Sequence, residues 1–169
     1  MFDIRKICEN FREVHSRYYV DINGCVYTSL SPNTTRIMVN GERKNINGWR
    51  KSVLPLMNNS NKAMIPVEGT SNYFLLYDGT ILQRLKTMIN KDTKEVNVSI
   101  IRAFNGNGTG NYYLVSRLVA GTFLGNVENK EVHHIDGDRT NNRVENLEIL
   151  TVEEHRGKHN FYNKHSYLK

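Results

Sequence analysis

Residues 133–159 read HHIDGDRTNNRVENLEILTVEEHRGKH, and this stretch decides how the chain folds and acts. A histidine pair comes first, an Asn-rich loop follows, and two histidines four residues apart close the segment. Three of the six histidines of the chain could bind a metal ion in this order, and a fourth would remain to transfer a proton. The types of these residues, their order and their spacing all match one arrangement, a metal site with a proton-transfer residue beside it, so the pattern is specific.

Local signals divide the segment into strand, loop, strand and helix. We predict strands at 131–134 and 147–150, a loop at 136–146 that is dense in Asp, Gly and Asn, and a helix through about residue 159. Thr151 and Glu154 form the Ser/Thr-x-x-Glu capping box that begins a helix. We interpret Asp136, Asn141 and Asn142 as loop residues that bind backbone groups, with contact to the metal site as the alternative.

The histidines differ in what their spacing implies. His155 and His159 are one helical turn apart on one face, which is a chelating geometry. His133 and His134 are adjacent on a strand and would point to opposite faces, unless the site wraps the end of the strand.

In type and spacing, residues 130–160 resemble the HNH nucleases, whose ββα-metal site cleaves phosphodiester bonds. The resemblance implies that His133 is a metal ligand and that His134 is the general base beside the scissile phosphate. It also implies that the carboxamide of Asn146 orients the base. His155, and less firmly His159, complete the expected metal site.

The preceding residues 113–124 resemble the helix before the HNH motif in phage homing-type enzymes, with Ser116 where those usually carry His. The all-His ligand set is more similar to that of bacterial toxin nucleases. It favours binding of Zn²⁺ or Ni²⁺ in vitro, whereas Mg²⁺ or Mn²⁺ is the ion expected in function. One divalent ion is expected in either case.

The rest of the chain contains an internal echo. YYVDINGCV at 18–26 matches YFLLYDGTI at 73–81 with an offset of 55 residues, and the Asn-Gly and Asp-Gly pairs predict two β-hairpins near 18–29 and 73–84. The first unit resembles small modules that accompany HNH domains; two ordinary hairpins that match by coincidence are the alternative. We predict an α+β fold with small antiparallel hairpins, a DNA-binding module at 1–70, and a second hairpin unit plus nuclease domain at 71–169.

Charge is distributed unevenly. The chain carries 23 Lys and Arg against 17 Asp and Glu, yet residues 131–155 hold seven acids and two bases, so the remainder has a net charge of +11. A basic body around an acidic pocket suits a protein that binds a polyanion and one cation, although an ordinary solvated surface is the alternative. Candidate DNA contacts are Arg50, Lys51, Arg139, Arg143 and Lys158. Trp49, the only Trp, is expected as a core residue rather than a stacking contact.

The sequence shows neither a signal peptide nor an apolar run long enough for a membrane span, and Cys8 and Cys25 cannot form a disulfide framework, so we expect a cytoplasmic protein. The pattern favours a metal-dependent HNH endonuclease of phage or mobile-element origin that nicks or cleaves double-stranded DNA as a monomer or homodimer. The alternatives are a DNA-binding module whose HNH fold holds a structural zinc and no longer cuts, and a restriction or repair nuclease.

Overall fold

The computed structural model describes residues 4–7, 17–60, 64–101 and 110–165. The fold is α+β, as predicted. In chain order its elements are β1 (Ile4–Lys6), β2 (Tyr18–Asp21), β3 (Val26–Ser29), β4 (Arg36–Val39), β5 (Glu42–Asn45), α1 (Asn47–Ser60), β6 (Met64–Pro66), β7 (Tyr73–Leu76), β8 (Ile81–Arg84), β9 (Thr87–Ile89), β10 (Val96–Ile101), β11 (Gly110–Leu114), α2 (Val115–Phe123), β12 (Glu131–His134), β13 (Leu147–Leu150) and α3 (Val152–His165). Across these ranges, no helix is long and apolar enough to cross a membrane.

Both predicted hairpins are present, as β2–β3 and β7–β8. They join into one antiparallel sheet with the order β1-β2-β3-β8-β7-β6, in which each strand of the first half has a counterpart in the second. Two smaller units flank the sheet, the ribbon β4–β5 and the three strands β9, β10 and β11. The chain thus repeats a pattern of three strands, a flanking unit of two or three strands, and a helix.

The two copies are related by a two-fold axis through the middle of the sheet. Thr28 of β3 lies opposite Gln83 of β8, and these residues differ by the same 55 positions that separate the two hairpins. The backbone bonds follow the symmetry. Leu30 N donates to Ile81 O, and Leu85 N donates to Val26 O. The sequence echo is therefore a structural repeat whose copies pair with each other.

Each of the two main hydrophobic cores contains side chains from both copies. Strands β2 and β3 of the first copy pack against β10 and α2 of the second, and strands β7 and β8 of the second pack against β4 and α1 of the first. The buried side chains of the first contact include Tyr18, Val20, Val26, Val115, Leu118 and Val119; those of the second include Tyr73, Leu75, Ile81, Ile37, Ile46 and Met57. Trp49 packs against the second core. The helix of each copy thus covers strands of the other.

The boundary placed at residue 70 falls between β6 and β7, which pair with each other. The division into a DNA-binding part and a nuclease part stays a prediction about function. The shared sheet and the crossed cores add a prediction about stability, because each side lacks part of its core without the other.

We expect a fragment of residues 71–169 to lose the cooperative thermal unfolding of the full chain. It lacks β1 to β3 and therefore the apolar side chains of Tyr18, Val20 and Val26, which cover α2. Circular dichroism melting of the fragment beside the full chain measures this. A fragment that melts as sharply and at the same temperature as the full chain would contradict the prediction.

Candidate active site

Two strands and a helix frame the candidate site as the sequence predicts. β12 pairs with β13 in antiparallel register, with His133 opposite Glu148 and His134 opposite Leu147. The capping box is formed. Glu154 N donates to Thr151 Oγ1 over 3.2 Å, and Thr151 N donates to the Glu154 carboxylate over 2.8 Å. The bonds that the backbone N and the hydroxyl of Thr151 donate to the carboxylate lower the pKa of Glu154. The helix continues to His165, beyond the predicted end near His159.

His133 and His155 meet at the base of a cleft of about 310 Å³. Their ring centroids are 5.0 Å apart, at an interplanar angle of 71°. Each ring has a carboxylate beside it. Glu148 Oε1 lies 3.9 Å from His133 Nε2, and Glu131 pairs with His155 Nδ1. His159 lies one turn further along α3, but its side chain is outside the described residues.

His134 is buried and lines the same cleft as His133, although neighbours on a strand alternate in direction. Both can do so because β12 ends at His134 and the chain turns there, with Gly137 N donating to His134 O over 3.0 Å. The cleft wraps the end of the strand, as it must if two adjacent histidines of a strand are to share one site.

Asn142 is the side-chain partner of His134. Its Oδ1 lies 3.0 Å from His134 Nε2, and its amide nitrogen donates to Thr140 O over 3.3 Å. Since the nitrogen of the amide is engaged with a carbonyl, the oxygen faces the ring and accepts a hydrogen bond. This arrangement requires a proton on His134 Nε2, and the neutral ring that fits it has its lone pair on Nδ1.

Asn146 ties the loop together. Its Nδ2 donates to Asn141 O and to Asp136 Oδ1, each over 2.9 Å, and its Oδ1 accepts from Asp136 N over 3.0 Å. The resemblance assigns the orientation of His134 to Asn146, whereas the side chain that accepts a hydrogen bond from the ring is Asn142. Sequence reasoning missed Asn142, because a second Asn in a polar loop carries no signal of its own.

The loop carboxylates serve the shape of the turn. Hydrogen bonds from the side chains of Asn141 and Asn146 and from Asp138 N lower the pKa of Asp136. Bonds from the hydroxyl and the backbone of Thr140 do the same for Asp138. Both acids therefore stay ionised below their ordinary range, and the loop keeps its hydrogen bonds through neutral pH.

Two arginines line the cleft with the histidines. The Arg117 guanidinium donates to Val127 O over 2.7 Å and to Lys130 O over 2.9 Å, which fixes its position. Arg139 is exposed, and its Nη1 donates to Thr93 O over 3.3 Å. Arg117 was not predicted as a site residue, although it belongs to the segment that resembles the helix preceding the HNH motif.

The other predicted DNA contacts do not line this cleft. Lys158 pairs with the carboxylate of Glu148. Arg143 lies 3.7 Å from Glu145, and both are exposed. Arg50 and Lys51 lie on α1, where Arg50 donates to Asn47 over 3.4 Å.

The residues present fit the divalent ion that the resemblance implies. Among the described residues, no group of three or more His, Cys, Asp and Glu is arranged to hold an ion. His133 and His155 nevertheless bring two imidazoles together, and His159 follows one turn along the helix in sequence. A carboxylate beside an imidazole is also the usual way in which proteins orient a metal-binding histidine.

Comparisons with known proteins find a match for the catalytic segment. Residues 113–156 match the family model described as HNH endonuclease. An uncharacterised HNH endonuclease, L245, of Acanthamoeba polyphaga mimivirus is 26% identical over 130 residues, which cover 76% of this chain and 39% of the viral protein. The chain therefore spans about two fifths of the length of that relative.

A structure titled "DNA binding and cleavage by the HNH homing endonuclease I-HmuI" is similar over 98% of this chain and 59% of the other, with 22% identity and a TM-score of 0.49. The HNH resemblance of the catalytic segment is confirmed by the family match.

Proposed function

We propose that the chain is a metal-dependent endonuclease that hydrolyses phosphodiester bonds in double-stranded DNA. The observation that carries the proposal is the convergence of His133, His134 and His155 on one cleft that Arg117 and Arg139 also line. Imidazoles provide metal binding and proton transfer, and guanidinium groups bind phosphate, so this cleft holds the parts that the reaction needs.

His134 is the proposed general base. With its proton on Nε2 held by Asn142, its Nδ1 takes a proton from a water molecule that attacks phosphorus in line with the leaving oxygen. Burial keeps the imidazole in one orientation. His133 and His155 are the proposed metal ligands, with His159 as a third. A divalent ion, when bound there, neutralises charge on the phosphate and on the leaving 3′ oxygen.

Arg117 and Arg139 are the proposed phosphate contacts in the cleft. Arg117 is held by two carbonyls, so its guanidinium needs no reordering when DNA binds. Arg139 sits on the catalytic loop and reaches across to Thr93, next to the turn before β10. Both would stabilise the extra negative charge of the transition state.

Residues 1–70 are the proposed principal DNA-binding part. The ribbon β4–β5 exposes Arg36, Arg43 and Lys44, and α1 adds Arg50 and Lys51. A two-stranded ribbon fits the major groove of B-DNA, and exposed bases bind its phosphates. We also propose a phage or mobile-element enzyme of homing type, with Mg²⁺ or Mn²⁺ as the working ion; the viral source of one relative supports this origin.

His134→Ala should lower the rate of plasmid cleavage about 10²–10⁴-fold, since it removes the base. Affinity for DNA and for metal should change little, because His134 is not a ligand in this scheme. Supercoiled plasmid with Mg²⁺ or Mn²⁺ is the assay, and Arg156→Ala, on the exposed face of α3, is the control. A non-cleaving zinc fold would show no cleavage by the unaltered protein either, and normal cleavage by His134→Ala would overturn the role of the base.

His133→Ala and His155→Ala should each reduce metal binding and cleavage together, because each removes one of two imidazoles that meet in the cleft. His159→Ala should weaken both less, and chelation of the ion should stop cleavage by the unaltered protein. Calorimetric titration with Mn²⁺ and Zn²⁺ measures binding, with His134→Ala as the variant that keeps it. Full metal affinity in His155→Ala would remove this site from consideration.

The double variant Arg50→Ala, Lys51→Ala should weaken DNA binding and make its salt dependence shallower by about two units of slope, because two phosphate contacts are lost. The cleavage rate at saturating DNA should be unchanged. Arg139→Ala is the contrasting variant, and it should lower that rate. Binding over a salt series measures the slope, and an unaltered slope in the double variant would show that α1 does not contact DNA.

A further inference from the structure

The turn of the first hairpin lies directly against the catalytic loop. A Cβ atom built on Gly24 would be 2.8 Å from Asn142 O and 2.9 Å from Asn142 Cβ, so only a glycine fits there without displacing the loop. Two residues away on each segment, Val144 N of the loop donates to Ile22 O of the hairpin over 2.9 Å. The N-terminal copy therefore supports the loop from outside, although it lies more than 100 residues away in sequence.

The turn is held in one shape by a buried acid. The Oδ1 of Asp21 accepts from Asn23 N and from Cys25 N, each over 2.9 Å, and its Oδ2 accepts from the Tyr27 hydroxyl over 2.8 Å. Asp21 is 1% exposed. Burial and the nearby carboxylate raise the pKa of Tyr27, so that hydroxyl stays a donor. Gly24 itself has φ +79°, a conformation that other residues seldom adopt.

The supported residue is the one that touches the proposed base. Asn142 is buried between Gly24 on one side and His134 on the other. Its oxygen is the acceptor that selects the Nε2–H tautomer of His134. A shift of Asn142 by a few tenths of an ångström would lengthen and weaken this bond, and so hold the ring less firmly.

We propose that Asn142 is a positioning residue for His134 and that the Asn23–Gly24 turn sets its position. The first hairpin then contributes to the rate of DNA cleavage without contacting the scissile phosphate. This inference rests on the proposed function, in which His134 is the general base.

The internal repeat provides a matched control. Gly79 is the counterpart of Gly24 in the second hairpin, with φ +85°, and its backbone bond from Gly79 N to Leu76 O repeats that from Gly24 N to Asp21 O. A Cβ on Gly79 would meet only Leu54 Cδ1, at 3.5 Å. Substitution by Ala strains both turns alike, but only at Gly24 does it press on the catalytic loop.

The first test compares Gly24→Ala with Gly79→Ala in single-turnover cleavage at saturating DNA and Mg²⁺. We expect Gly24→Ala to lose at least about tenfold in rate, since small misplacements of catalytic groups have effects of this size. Its affinities for DNA and Mn²⁺ should stay within about twofold of the unaltered protein, and Gly79→Ala should cut at the normal rate. Equal rates in the two variants would overturn the role of the turn.

The second test acts on Asn142 directly. Asn142→Leu keeps the approximate shape and removes the acceptor, whereas Asn142→Asp keeps an acceptor oxygen. We expect a loss of rate in the Leu variant and a smaller loss in the Asp variant, which keeps the acceptor for the ring but loses the donor to Thr140 O. Nitrogen-15 NMR of labelled histidine should show His134 as the Nε2–H tautomer in the unaltered protein and as a mixture in Asn142→Leu. A normal rate and an unchanged tautomer in Asn142→Leu would overturn the proposal.

These experiments distinguish a failure of the proposed nuclease function from a failure of the positioning role of Asn142. If the unaltered protein does not cleave DNA, the proposed nuclease function fails, while the NMR comparison still decides whether Asn142 holds the ring. If it cleaves and His134→Ala does not, only the positioning role is under test. Should Gly24→Ala fail to fold, Asn142→Leu and Asn142→Asp decide the outcome together.

Discussion

The antiparallel pairing of β3 with β8 is the constraint on which the rest of the structure depends. With Thr28 opposite Gln83, the two copies of the hairpin unit face each other across a two-fold axis, and each turns its apolar side toward the helix of the other. Helix α2, which leads into the catalytic strands, is thereby held by β2 and β3. The position of the cleft is set by residues from both ends of the chain.

The two copies differ at the hairpin turn that contacts the catalytic loop. At the place that Leu76 occupies in the second copy, the first copy has the buried carboxylate of Asp21, whose hydrogen bonds shape the turn around Gly24. A buried carboxylate needs such partners to be tolerated at all. The turn that it stiffens meets Asn142, whereas the corresponding turn of the second copy meets a leucine of α1. The extra polar network thus coincides with the side that carries the site.

Sequence signals were sufficient where local chemistry decides the structure. Asn23-Gly24 and Asp78-Gly79 specify tight turns by their backbone preferences, and the capping box at Thr151 begins α3. Helix α1 has no comparable sequence signal, and its Pro55 argues against a helix. It forms because Ile46 and Met57 are buried against strands of the second copy. The pairing of β3 with β8 joins residues that are far apart in sequence, so no local pattern predicts it. The contact of Asn142 with His134 is equally unpredictable, because Asn141, Asn142 and Asn146 are similar amides in one loop.

The charges of the cleft explain how one site could accept both a cation and a phosphate. Glu131 pairs with His155, and Glu148 pairs with Lys158 and lies 3.9 Å from His133, so both acids have basic side chains beside them. Arg117 and Arg139 line the cleft together with the carboxylates of Glu95 and Glu131. Carboxylates beside the imidazoles can orient them toward a cation, and guanidinium groups can bind a phosphate. Much of the acidic composition of residues 131–155 therefore serves local support: Glu131 and Glu148 stand beside imidazoles, Asp136 and Asp138 shape the loop, and Glu154 caps α3.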